Sequence, residues 1–128
     1  MTDNTTAELL RLSQELLDAI VAGDWDNYAR LCDPSLSCYE PEACGHLVAG
    51  MEFHRYYFEL QPSTSPRNTT IASPHVRVLG DTAVVSYVRL TQKLDAHGAP
   101  VTAAMNETRV WHRQPQGWRH VHFHRSAC

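Results

Sequence analysis

The sequence predicts an α+β domain in which a long N-terminal helix lies on a strongly curved antiparallel sheet. Apolar residues recur at helical spacing over the first 22 residues, and residues 81–128 read as three long strands joined by two compact turns. Helices followed by a run of antiparallel hairpins are the pattern of α+β proteins. With 128 residues and 43% hydrophobic content, residues 1–128 are expected to form one domain around one core.

The N-terminal helix is predicted from its apolar stripe and from signals at its two ends. Thr5 or Thr6 is expected to cap its start, and Glu8 lies three positions after Thr5, as a capping box requires. Gly23 is expected to end it. The stripe that should face the sheet consists of Leu9, Leu12, Leu16, Leu17, Ile20 and Val21.

A second, shorter helix is predicted over residues 25–32, directly before a turn that carries two carboxylates. Asp24 is a suitable cap, Tyr28 is expected to face inward, and Pro34 prevents the helix from continuing. Glu40 and Glu42 flank a proline and could serve as an acid/base pair. An exposed turn with solvated carboxylates is the favoured interpretation.

The middle of the chain predicts a third helix and an irregular strand. Residues 51–59 are dense in aromatic side chains, and Phe53, Tyr56 and Tyr57 share one side of the helix as expected core residues. A polar, linker-like stretch follows over residues 61–68. Residues 69–79 read as a strand in which Ser73 and Pro74 indicate an edge position or a bulge.

The two turns near the C-terminus fix which strand residues share a face. In the second, Pro115 and Gly117 favour a three-residue loop with Gln114 opposite Trp118. The first is expected to place Asp95 opposite Ala99. The resulting cross-strand pairs are Arg109 with Phe123, Arg125 with Glu107, Arg89 with Met105, and Tyr87 with Glu107.

These registers place three arginines, Arg89, Arg109 and Arg125, inside strands and on one face of the sheet. Solvated arginines at a sheet rim are the alternative. Guanidinium groups stay charged and are costly to bury unpaired, so an enclosed trio requires anionic partners. Glu107 is one candidate, and a small carboxylate ligand is another. The other residues expected on this face are Tyr87, Trp111 and Phe123.

Composition argues against several classes of partner. A net charge of −3 gives no basic excess for nucleic acid, and no apolar run approaches membrane-spanning length. The polar start of the chain does not resemble a signal peptide, so a cytoplasmic location is expected. The four cysteines lack the close spacing of zinc sites and are expected to be free thiols, with no metal or cofactor.

Three alternating histidines on the last strand are expected on the face opposite the arginines: His120, His122 and His124. Same-face strand residues lie about 7 Å apart, too far for all three to hold one zinc ion at bonds near 2 Å. Surface or interface histidines are the favoured interpretation, and their protonation near pH 6 would then loosen an interface.

Several blocks of the chain closely resemble one family. The association, or hub, domain of calcium/calmodulin-dependent protein kinase II is similar in collinear order to residues 23–25, 31–34, 39–43, 50–59, 89–92, 107–113 and 121–126. The resemblance implies a cone of the nuclear transport factor 2-like (NTF2-like) type. It also implies self-assembly into stacked rings of twelve or more copies and no catalytic activity. In full-length relatives it implies tethered kinase domains and calmodulin binding.

The resemblance further implies an arginine-lined pocket for small carboxylates such as γ-hydroxybutyrate analogues. Tyr28 and His54 match positions of that pocket, as do the three strand arginines, and Glu107 is expected beside them. The alternative is an NTF2-like enzyme of the ketosteroid-isomerase kind, with His54 or Glu107 as base and an arginine stabilising an enolate. Neighbouring arginines would lower the pKa of a pocket carboxylate and make it a weak base, which favours the binding role.

Overall fold

The computed structural model describes residues 2–60 and 64–128, so residues 61–63 of the linker-like stretch lie outside the described part. A short 3-10 turn, Pro41–Ala43, follows the first strand. The helices and strands, in chain order, are α1 (Thr2–Ala22), α2 (Trp25–Leu31), β1 (Cys32–Tyr39), β2 (Val48–Ala49), α3 (Glu52–Glu59), β3 (Arg67–Leu79), β4 (Thr82–Leu94), β5 (Pro100–Gln114) and β6 (Gly117–Ala127).

The six strands form one curved sheet that is not closed, in the order β2-β1-β6-β5-β4-β3. The α+β class and the long helix against a curved sheet are confirmed. One feature departs from the expected antiparallel sheet, because β1 pairs with β6 in parallel. β5 already occupies one edge of β6, so β1, which begins directly after α2, adds to the edge that remains free.

The apolar stripe of α1 covers the sheet as predicted. Leu9, Leu16 and Leu17 are completely buried, and α1 packs against β3, β4 and α2. Burying a leucine side chain stabilises a fold by about 1.5–3 kcal/mol. This stripe is therefore a main source of the packing energy that holds the helix on the sheet.

The two ends of α1 differ in how well the sequence predicted them. The helix begins at Thr2, so the capping box proposed at Thr5 or Thr6 is wrong. Neither proline nor glycine occurs before Gly23, and nothing stops the first turn from forming. Gly23 ends the helix as predicted, with φ of 68°. Its N–H donates to Ile20 and that of Asp24 donates to Ala19, which is a Schellman motif.

The helix α3 turns a different face inward from the one expected. Tyr56 and Tyr57 are 61% and 43% exposed, so the prediction that they belong to the core is wrong. The buried side chain is His54, and Phe58, one turn later, packs on the ring of Tyr28 at a centroid distance of 4.9 Å. Aromatic density alone did not reveal which side of this short helix is covered.

The irregular strand and the first hairpin follow the predicted geometry. β3 is an edge strand, and its register shifts between Ala72 and His75 where Ser73 takes a positive φ of 50°. In the β4–β5 hairpin the Asp95 N–H donates to the Ala99 carbonyl at 2.8 Å. Arg89 faces Met105 and Tyr87 faces Glu107, as expected.

The second hairpin reaches the predicted pairs by another route. Gln114 pairs with Gly117 across a two-residue turn, so the three-residue loop is wrong, and Arg113 faces Trp118. A bulge at Val121, between the pairs Trp111–His120 and Val110–His122, then shifts the register by one residue. Beyond it the expected pairs are restored, with Arg109 opposite Phe123 and Glu107 opposite Arg125.

The Asp24 cap offers a test of how local signals hold the fold together. As predicted, Asp24 caps α2, and its Oδ1 accepts a hydrogen bond from the Asn27 N–H at 3.2 Å. We expect Asp24→Ala to lower the free energy of unfolding by about 1 kcal/mol, measured by urea denaturation at fixed protein concentration. Asp26→Ala in the first turn of the same helix is the control, with an expected loss of a few tenths of a kcal/mol. Equal losses would contradict the capping role.

Candidate ligand-binding pocket

The predicted site residues come together around a cavity of about 170 Å³ between the helices and the inner face of the sheet. β4, β5 and β6 supply the three arginines, and α2 and α3 supply Tyr28 and His54. Glu107 does not line the cavity but bonds to Arg89 and Arg109, which do. The remaining lining residues are Ile20, Glu40, Glu42, Tyr57, Phe58 and Phe123.

Glu107 is the buried partner of two of the arginines. Its Oε1 accepts from the Tyr87 hydroxyl at 2.6 Å and from Arg109 Nη2 at 3.0 Å, and its Oε2 accepts from Arg89 Nη1 at 3.2 Å. Burial alone would raise the pKa of Glu107, but the charges of Arg109 and Arg89 outweigh it and hold the pKa below its usual value. Glu107 is therefore an ionised carboxylate that accepts three hydrogen bonds.

Arg109 is almost completely enclosed, with 1% of its surface exposed. Its Nε donates to the Tyr87 oxygen at 2.7 Å, and its guanidinium carbon lies 4.7 Å from the centre of the Phe123 ring. Although burial opposes the charge, Tyr87 and Glu107 raise the pKa of Arg109 further above its ordinary value. The cation is thus held by a hydroxyl, a carboxylate and an aromatic face.

His120 lies inside the fold, which corrects the expectation that it shares the outer face with His122 and His124. The bulge at Val121 turns it inward, where its Nε2 lies 3.3 Å from Arg109 Nη1. Burial, and then the charge of Arg109, lower the pKa of His120 well below its ordinary value. The neutral ring therefore accepts from Arg109 at Nε2, which places its own proton on Nδ1, 3.6 Å from Cys32 Sγ.

Arg125 is held by the turn that the sequence suggested was solvated. Its Nη2 donates to Glu40 Oε1 at 3.3 Å and makes a second, short hydrogen bond with Glu42 Oε1. The side chain of Glu40 is 9% exposed and that of Glu42 is 38% exposed. The expectation of freely solvated carboxylates is therefore wrong, because Glu40, at the start of the turn Pro41–Ala43, and Glu42, within it, both reach Arg125.

Burial and charge set the protonation of these two carboxylates in opposite directions. Burial raises the pKa of Glu40, and the nearby charge of Glu42 adds to the rise. Burial also acts on Glu42, but the hydrogen bond and charge of Arg125 lower its pKa overall. Both carboxyl groups thus converge on one guanidinium, where their charges oppose each other and a side-chain hydrogen bond links them.

Three metal-ligand types also meet beside the cavity. Atoms of Cys38, Glu40 and His54 lie within 4.8 Å of one another, a cluster that spacing along the chain did not reveal. The Cys38 thiol donates to Glu40 Oε2 at 3.3 Å, and burial raises the pKa of that thiol. Arg125 occupies the other oxygen of Glu40, so a cation bound at Oε2 would have to displace the thiol proton and would lie close to a guanidinium charge.

One buried donor beside the pocket has no partner. Arg89 Nε is buried and has no hydrogen-bond partner within residues 2–60 and 64–128. A buried charged donor without a partner costs free energy. The part of the Arg89 side chain that lines the cavity is available to an acceptor that enters it. The aromatic walls formed by Tyr28, Phe58 and Phe123 would surround the apolar part of such a ligand.

The described residues form an α+β domain with a helix over a curved sheet and a charged pocket, and this arrangement defines the class of protein. Solved structures that share less than 25% sequence identity with this chain show that the fold is NTF2-like. A putative dehydratase of the NTF2-like family from Streptomyces avermitilis superposes with a TM-score of 0.81 at 23% identity, covering 100% of this chain and 99% of the other.

Closer relatives identify the family. The family model described as "Calcium/calmodulin dependent protein kinase II association domain" matches residues 5–128. The hub homology domain from Chlamydamonas reinhardtii is 55% identical, with a TM-score of 0.91 over 97% of this chain and 98% of the other. The association domain of C. elegans is 44% identical, with a TM-score of 0.93 over 98% and 97%. This chain belongs to the calcium/calmodulin-dependent protein kinase II association domain family.

The predicted family, fold class and absence of catalytic function are thereby confirmed, since the association domain is a non-catalytic oligomerisation module. The delta subunit of calcium/calmodulin-dependent protein kinase type II from Oryctolagus cuniculus is 49% identical over 123 residues. That match covers 94% of this chain and 23% of the relative, so the chain spans about a quarter of its length. None of the helices in the described part of the chain is long and apolar enough to cross a membrane.

The buried histidines predict that acid destabilises the fold. Burial, and then Arg109, lower the pKa of His54 to about 4, even though Glu40 Oε2 lies 3.5 Å from its Nδ1. The unfolded chain binds the proton near pH 6.5, so the stabilisation is complete above that pH and is lost as the pH falls towards 4. We expect the His54 contribution to reach roughly 3 kcal/mol, measured by denaturation at pH 7.5, 6.0 and 5.0.

His54→Gln removes the titrating group and should flatten this part of the pH dependence. His46→Gln, at an exposed position, is the matched control and should leave it unchanged. If His54→Gln retained the full slope between pH 6.5 and 5, the buried neutral histidine would not be its source.

Proposed function

We propose that the chain assembles into a stacked-ring homo-oligomer of twelve or more copies. Its role there is to hold kinase domains of a longer polypeptide at high local concentration. Membership of the association domain family supports the assembly. Tethering several catalytic modules to one ring turns encounters between them into intramolecular events, with effective concentrations in the millimolar range for short flexible linkers.

Exposed apolar side chains support self-association. Tyr56, Tyr57 and Leu60 are 61%, 43% and 50% exposed, and they lie close together in sequence on α3 and directly after it. Large apolar side chains grouped at a surface are typical of protein–protein interfaces. A second copy of the chain is the partner that the family favours.

The proposed ring is tested by the mass of the protein in solution. At micromolar concentration and neutral pH, native mass spectrometry should show a dominant species of at least twelve 14.5 kDa chains. Light scattering on a sizing column provides the check in solution. A monomer or dimer at 50 µM would contradict the ring.

We infer that the pocket binds small aliphatic carboxylates. The observation that carries this inference is the convergence of three guanidinium groups from neighbouring strands on one aromatic-walled cavity. A carboxylate is a planar acceptor that matches the donor geometry of guanidinium groups.

A thermal shift experiment with butyrate tests the carboxylate site. A ligand that binds only the folded state stabilises it by about 2.7 kcal/mol at a hundred times its dissociation constant, so the midpoint should rise with butyrate concentration. Arg89→Gln should abolish most of the shift, whereas Arg77→Gln, an exposed arginine on β3, should leave it intact. Equal shifts in both variants would remove Arg89 from the site.

A further inference from the structure

We propose that Glu42 is a built-in occupant of the pocket, whose carboxylate holds Arg125 until the carboxylate of a small monoanionic ligand takes its place. This inference rests on the carboxylate-binding function proposed above. It specifies which side chain occupies the site when no ligand is bound and which class of ligand the site binds.

The three pocket carboxylates are held to very different degrees. Glu107 is fully buried and accepts hydrogen bonds from Tyr87 and two arginines. Glu40 is 9% exposed and accepts from Arg125 and from the Cys38 thiol. Glu42 is 38% exposed, and its side-chain partners are Arg125 and the neighbouring carboxyl group of Glu40. Of the three, Glu42 can therefore move into water at the lowest cost.

The position of Glu42 suits such an exchange. It lies on the short turn Pro41–Ala43, which ends where Cys44 and Gly45 adopt positive φ values of 54° and 85°. Its side chain lines the cavity and is also 38% exposed to solvent, so rotation about side-chain bonds suffices to withdraw the carboxylate. Withdrawal leaves Arg125 Nη2, the guanidinium nitrogen that Glu42 and Glu40 share, with Glu40 as its remaining carboxylate partner.

Charge balance defines the ligand class. Three guanidinium groups face three carboxylates, so the resting pocket is neutral. When Glu42 withdraws, the pocket carries one uncompensated positive charge, which a single carboxylate restores to zero. A dicarboxylate would leave a second charge in a cavity of about 170 Å³ walled by aromatic rings. The site therefore selects a monocarboxylate with a short apolar body.

Calorimetric titration of the assembled protein with butyrate tests the proposal. If the Glu42 carboxylate is bound to Arg125 about nine-tenths of the time, it lowers the apparent affinity of the pocket for butyrate about tenfold. Glu42→Gln should therefore bind butyrate about tenfold more tightly than the natural chain. Glu52→Gln makes the same charge change on α3, outside the lining of the cavity, and is the matched control with unchanged affinity.

A second variant guards against disturbed folding or assembly. Glu42→Asp keeps the charge but shortens the reach towards Arg125 by one methylene, so it too should tighten binding. Tighter binding in both Glu42 variants and not in Glu52→Gln would support the displacement.

The outcomes separate the two proposals. Butyrate binding that depends on Arg89 but is equal in the natural chain and both Glu42 variants would overturn the displacement and leave the carboxylate site standing. No binding in any of these proteins would overturn the carboxylate site and the displacement together.

Discussion

The buried carboxylate of Glu107 is the interaction on which the inner face of the sheet depends. Isolated guanidinium groups inside a protein cost several kcal/mol each, and β4 and β5 each direct one inward. Glu107 meets both within 3.2 Å and is fixed by the hydroxyl of Tyr87. Because Arg89 and Arg109 are already paired with Glu107, both guanidinium groups stay in place without a ligand. The fold therefore sets their positions.

The third arginine of the pocket, Arg125, is held in a different way. Arg125 lies at the end of the sheet, and its partners arrive from the turn after β1 instead of from a neighbouring strand. One side of the cavity is thus rigid and the other is built from a three-residue turn.

Local signals in the sequence predicted a helix end, a helix cap and a strand irregularity well. The features that they missed depend on long-range packing. Gly23, Asp24 and the Ser73–Pro74 irregularity act within a few residues, and each was interpreted correctly. The side of α3 that is covered depends on Tyr28 of another helix, and the partner of Glu42 lies 83 residues away, so neither leaves a local pattern. For the site, residue identities, strand faces and the pairing of Glu107 with the arginines were predictable, whereas the pairing of Glu40 and Glu42 with Arg125 was not.

The bulge at Val121 accounts for one correct prediction and for one wrong prediction. The arginine pairs were predicted correctly because the unforeseen bulge offsets the turn that is one residue shorter than expected. The same bulge reverses the facing of His120, which alternation alone assigned to the outside. Alternation holds only along an uninterrupted ladder. Nothing in the residues around Val121 marks the interruption.

The place of β6 in the sheet bears on how the domain forms. β6 follows the other five strands of the described residues, yet it lies between β1 and β5 and supplies Phe123 and Arg125 to the pocket. Until it has been synthesised, β1 lacks its principal neighbour and β5 has an open edge. Pairings between segments more than 80 residues apart raise contact order and slow folding. Newly made chains therefore expose these edges longest, during the period in which they are most prone to join with other unfinished copies.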